Sequence, residues 1–134
     1  METCIDWFGD GSLVVVDLSL ACCAVESEFA VPEGAPRLSA VPEGAQVVAV
    51  ISGTIAAPVA DLVRTRIDSL GERTHVVAFG ACACAGGPYW DSSAIVPGTG
   101  RLTHVDHLIP GCPPPPSALA EHVERLRDGG GEVT

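Results

Sequence analysis

Apolar residues fall along this chain in short runs separated by turn-forming stretches. Leu13 to Leu18 is continuous and β-branched, the pattern of a strand buried on both faces. Val47 to Ile51 repeats it, and Val76 to Phe79 and Val105 to Ile109 supply a third and a fourth run. Between them the period changes. Ala24 to Phe29 can open a short helix. Pro58 stands near the start of a longer one that places Val59, Leu62, Val63, Ile67 and Leu70 on one face and ends at Gly71. Ser117 to Arg127 reads as a last helix, with Gly129 to Gly131 as a frayed tail. Strands alternating with helices predict an α/β fold with a parallel sheet.

Two segments interrupt the alternation. Ala30-Val-Pro-Glu-Gly-Ala35 recurs as Ala40-Val-Pro-Glu-Gly-Ala45. Two copies fall short of the roughly three that a solenoid needs, and Pro-Glu-Gly suits a turn, so the stretch is expected to be a surface excursion. Gly80 to Gly87, Gly-Ala-Cys-Ala-Cys-Ala-Gly-Gly, is expected to be a loop.

Composition narrows the class. The 134 residues are 47% hydrophobic and fit a single domain spanning 1–134, with 1–10 and 128–134 expected as flexible ends. The charge of -10, with no lysine, argues against nucleic acid and against docking on anionic lipid. No apolar run approaches the roughly 18 residues of a membrane span, and the first residues lack the basic flank of a signal peptide. The chain is therefore expected in the cytoplasm, where six cysteines read better as metal ligands than as disulfides.

The position of those cysteines carries the chemistry. Cys22 and Cys23 follow the first strand, Cys82 the third and Cys112 the fourth, and a parallel sheet brings these carboxyl ends to one edge, where ligands bind in such folds. Four thiolates suit a [4Fe–4S] cluster, which offers one iron to each. The Cys-x₂₋₄-Cys knuckle usual for zinc is absent. Small residues at 81, 83 and 85–87 would let backbone N–H groups approach inorganic sulfide. Cys84 is surplus to four irons and reads as a buried inert thiol. Cys4, near the amino end, reads as a free thiol.

Three stretches, Leu20-Ala-Cys-Cys-Ala-Val-Glu26, Gly80-Ala-Cys-Ala-Cys-Ala-Gly-Gly-Pro-Tyr89 and Val105-Asp-His-Leu-Ile-Pro-Gly-Cys-Pro-Pro114, resemble the B-subunit family of NADH-quinone oxidoreductase (complex I), related to [NiFe] hydrogenase small subunits. The resemblance runs from about Leu18 to Leu126, and the tandem cysteines are its specific part. It implies a flavodoxin-like α/β domain with helices on both faces of the sheet and the cluster loops at the carboxyl ends of the strands. It implies one [4Fe–4S] cluster on Cys22, Cys23, Cys82 and Cys112, in an electron-transfer subunit that relays electrons toward quinone beside a larger partner subunit. It also implies a peripheral place at the cytoplasmic face of the membrane through partner subunits. The segment from Ser27 onward departs from the family pattern, which bears on the quinone step. Two rival readings are the small subunit of a [NiFe]-hydrogenase-like complex and a cluster-free scaffold.

Other residues offer further chemistry. Glu26, three residues after Cys23, is a candidate for coupling a proton to the electron, because added negative charge nearby raises a carboxylate's proton affinity. Tyr89 and Trp90 read as packing at a partner surface. His104 and His107 flank Asp106 but should face opposite sides of a strand, which disfavours a shared metal. No phosphate-binding glycine motif occurs.

Overall fold

A computed structural model describes residues 2–20, 23–71, 73–87 and 91–128, and of Cys23 and Ala24 it describes the backbone alone. The elements in chain order are β1 (Glu2–Asp6), β2 (Leu13–Ser19), α1 (Cys23–Ala30), β3 (Arg37–Leu38), β4 (Gln46–Ser52), β5 (Ile55–Ala56), α2 (Ala60–Ser69), β6 (His75–Phe79), α3 (Ala81–Ala85), β7 (Ile95–Val96), β8 (His107–Ile109) and α4 (Pro116–Asp128). Six strands form one mixed sheet in the order β3-β1-β2-β4-β6-β8, while β5 and β7 make a small antiparallel pair. The neighbours β2, β4, β6 and β8 run parallel, as the buried apolar runs predict.

Alternate side chains of each strand feed two cores. Leu13, Val15, Val48, Val50, Val77 and Phe79 pack with Ala30 of α1 and with Leu119, Val123 and Leu126 of α4. Val14, Val16, Leu18, Ile51, Val76 and Ala78 pack with Val63 and Ile67 of α2 and with Ala83 of α3. Helices therefore cover both faces in a flavodoxin-like α/β arrangement, which explains why the central strands carry almost no polar position. The buried polar exceptions are Asp17 in β2, Ser52 at the end of β4 and His75 at the start of β6.

Several expectations need correction. Residues 2–6, expected within a flexible end, form β1, which pairs antiparallel with β2 and with β3. Ile5 and Trp7 are buried in the first core, and the Asp6 carboxylate closes the hairpin by accepting the N–H groups of Gly9 and Gly11 at 3.1 Å. Cys4 accordingly occupies a core position, where burial raises its thiol pKa. The loop expected at 80–87 contains α3. Its three alanines favour a helical turn, and Cys84 N–H reaches Gly80 O at 3.0 Å. The fourth strand begins at His107 rather than Val105, because the Asp106 carboxylate, not a backbone carbonyl, accepts the Val76 N–H at 2.8 Å. Leu62, expected on the apolar face of α2, is 69% exposed, whereas Val63 and Ile67 are buried.

The repeated hexapeptides fold alike. Ala35 N–H bonds Pro32 O and Ala45 N–H bonds Pro42 O, giving one turn per copy, and between the copies β3 adds to the sheet edge. The tail expected at 129–131 lies outside the described residues.

Candidate functional site

The loops that follow β2, β6 and β8 leave the sheet at its carboxyl edge. The loop after β2 is held by Leu20 N–H to Ser52 O at 2.8 Å, which ties it to the end of β4. Cys22 lies outside the described residues; Cys23 opens α1.

The other two cysteine loops are joined directly. Gly80 N–H bonds Ile109 O and Ala81 N–H bonds Gly111 O, both at 2.7 Å. The residues just before Cys82 and Cys112 are thereby fixed side by side, although 30 positions separate the cysteines. Cys82 is buried in the first turn of α3 and Cys112 is exposed on the loop between β8 and α4. Among the described residues Cys4, Cys82, Cys84 and Cys112 are free thiols.

Two glycines make this packing possible. A Cβ on Gly87, at φ +55°, would come within 2.9 Å of Cys82 Sγ, so the thiol rests against bare backbone. A Cβ on Gly111, at φ +144°, would collide with Pro114 at 2.7 Å, so the turn carrying Cys112 needs glycine before it. Behind α3, the buried Thr99 hydroxyl donates to Ala83 O at 2.8 Å and pins the helix from below.

Cys84 is turned away from this arrangement. Its thiol donates to Ala78 O at 3.5 Å, and burial raises its pKa, favouring the neutral thiol over the thiolate that a metal requires. Glu26 sits in the first turn of α1 and is half-exposed. Tyr89 and Trp90 lie outside the described residues.

A buried carboxyl escaped the sequence reading. Asp17 accepts the Ser27 hydroxyl at 2.8 Å and the Ser52 hydroxyl at 3.2 Å, linking β2, α1 and β4. Desolvation raises its pKa, with the serine hydrogen bonds opposing. Its signal was available, a single acid in an otherwise apolar strand, but the serines that hold it are 10 and 35 positions away.

Do these residues fit an iron–sulfur cluster? A buried thiol against a glycine cradle and an exposed thiol on a loop locked to it are compatible with shared ligation. Among the described residues no group of three or more His, Cys, Asp or Glu side chains is spaced to hold a metal ion; this set excludes Cys22 and the side chain of Cys23. No described helix is long and apolar enough to cross a membrane.

Comparison with known proteins identifies the family of the chain. The family model described as NADH ubiquinone oxidoreductase, 20 Kd subunit, matches residues 10–126. The NADH-quinone oxidoreductase B-subunit of Amoebophilus asiaticus is 34% identical over 96% of this chain and 84% of its own length. The B-subunit numbered 1 of Salinispora tropica is 36% identical over 92% of this chain and 69% of its own. The B-subunit numbered 2 of Streptomyces griseus is 33% identical over 96% of this chain, which spans only 57% of that relative. A chain in the structure of the membrane-bound sulfane sulfur reductase, an archaeal respiratory membrane complex, superposes with a TM-score of 0.56 at 24% identity. That match covers 63% of this chain and 48% of the other, and it supports the fold alone. Through the family model and these relatives, the chain belongs to the NADH ubiquinone oxidoreductase 20 Kd subunit family, the family of the NADH-quinone oxidoreductase B-subunits.

Proposed function

We propose that this chain is an electron-transfer subunit that holds one [4Fe–4S] cluster on Cys22, Cys23, Cys82 and Cys112. It would work within a complex I-like assembly, beside a larger subunit, with electrons passing toward quinone. The observation that carries this reading is the Ala81 N–H to Gly111 O bond, which fixes the loops of Cys82 and Cys112 together at the edge where the β2 loop also emerges. When bound, a [4Fe–4S] cluster accepts and donates single electrons. The chain's own part is positional. Gly87 lets Cys82 approach without steric conflict, Thr99 fixes α3, and the serine-bound Asp17 ties the helix opened by Cys23 to the sheet. Glu26, one turn into that helix, is the proposed carriage for a coupled proton. Association with the membrane would come through partner subunits at its cytoplasmic face.

Iron analysis and low-temperature EPR of the anaerobically purified, reduced complex test this. About four irons per chain are expected. Cys22→Ser and Cys112→Ser should each lose or alter the signal, and Cys84→Ser should keep it. An unchanged signal in both ligand variants would overturn the assignment. In the same titrations Glu26→Gln is expected to flatten any pH dependence of the midpoint potential; an unchanged slope removes Glu26 from the reading.

A further inference from the structure

All four histidines of the chain gather at one place, and the cysteine site uses none of them. His75 begins β6, His107 begins β8, His104 precedes β8, and His122 sits midway along α4. His75 Nε2 and His122 Nε2 are 2.9 Å apart, and both rings are buried. The His107 ring lies flat on His122, with centroids 3.8 Å apart and planes inclined by 6°. Asp106 Oδ2 is 3.2 Å from His104 Nε2 and 3.9 Å from His75 Nδ1, while also accepting the Val76 N–H.

We propose that this cluster is an acid-sensitive latch that holds α4 on β6 and β8 and releases it in mildly acidic conditions, loosening the Cys112 loop that leads into α4. The inference stands on the histidines alone and does not depend on the iron–sulfur reading.

The reason lies in proton counting. The His75–His122 contact needs one ring nitrogen to donate and the other to accept. It survives one added proton but not two, because two imidazolium rings would face each other N–H to N–H. The first proton is best placed on His75 Nδ1, which looks toward the Asp106 carboxylate. A second, on His122 or on the His107 ring stacked against it, adds a like charge close to the first. Among the described residues the Nδ1 atoms of His75 and His122 are buried with no hydrogen-bond partner, so a proton on His122 Nδ1 also buries an unsatisfied donor.

The surroundings reinforce this bias. Burial lowers the proton affinity of His75, His107 and His122, and His122 is pushed down to about 4 with help from its two neighbours and Arg125. Arg125 on α4 opposes protonation of His107 as well, so Asp106 is the anion that favours charge here. From α1, which packs on α4, the carboxylates are Glu26 and Glu28, and Glu28 pairs with Arg37. With α4 displaced, the rings return to water and bind protons near their ordinary affinity, so acid favours the displaced state. Because Cys112 is followed by three prolines and then Pro116 at the start of α4, a shift of the helix is transmitted to that loop by stiff chain.

Amide hydrogen exchange on the full chain at pH 7.5 and pH 5.0, corrected for intrinsic rates, tests the latch. Residues 116–128 are expected to open about tenfold more at pH 5.0, while α2 holds its protection. His107→Phe, which keeps a ring in the stack without a proton, should weaken the response, as should His122→Gln. Protection of α4 no more pH-sensitive than that of α2 overturns the proposal. So does full retention of the response in His107→Phe, or NMR titration of His75 and His122 in the folded chain near pH 6.5.

Discussion

At the scale of single residues, the chemistry turns on what surrounds each thiol rather than on its presence. Six cysteines were legible, and their positions after apolar runs separated Cys82 and Cys112 from Cys4. The difference between Cys82 and Cys84 was less so, since both stand in one Ala/Gly stretch. The structure separates them by contact: Cys82 Sγ lies over Gly87 and Cys84 Sγ turns to Ala78 O. Gly87→Ala would place a methyl 2.9 Å from Cys82 Sγ, at a φ that L residues rarely adopt. The expected result is a folded chain, destabilised by about 1 kcal/mol, whose iron content falls well below that of the parent. Circular dichroism with iron analysis checks this, and full iron loading would show that the glycine cradle does not matter to ligation.

Elements were legible where burial on both faces left one pattern to read. The runs at β2, β4 and β6 match their strands to within about a residue at each end, because a central parallel strand has no solvated side to blur the pattern. The edge told less. β1 mixes Glu2 and Thr3 with Cys4 and Ile5, and β3 is two residues long, so their pairing depends on long-range register rather than on local signal. On α2, the helical period puts five apolar positions on one broad face. The helix rests on the sheet through Val63 and Ile67, one turn apart, and Leu62 points away. Ile67→Ala is therefore expected to cost about 2–4 kcal/mol, as for a buried truncation, and Leu62→Ala less than about 0.5 kcal/mol. Urea unfolding of the two variants decides it, and equal losses would contradict this placement of the helix face.

For the whole molecule, the long-range assembly of polar groups is what the sequence left unread. His75 and His122 are 47 positions apart, and no spacing motif joins them. Asp17 and Ser52 are 35 apart. These two buried systems make opposite contributions to stability as pH changes. The histidines bind protons less readily folded than unfolded. Their stabilisation is complete above the unfolded value near 6.5 and is lost as pH falls toward the folded values, about 4 for His122. Asp17 binds its proton more readily folded, so its contribution is present at low pH and is lost as pH rises through its raised folded value. Asp17→Asn keeps a polar side chain among the serines without a buried charge. It should raise stability at pH 8 by on the order of 1 kcal/mol and steepen the decline on acidification. His122→Gln should flatten that decline between pH 6.5 and 4. Urea midpoints measured from pH 8 to pH 4 test both signs. A decline in His122→Gln as steep as the parent's would contradict the sign assigned to the histidines, and an Asp17→Asn variant less stable at pH 8 would contradict the sign assigned to Asp17.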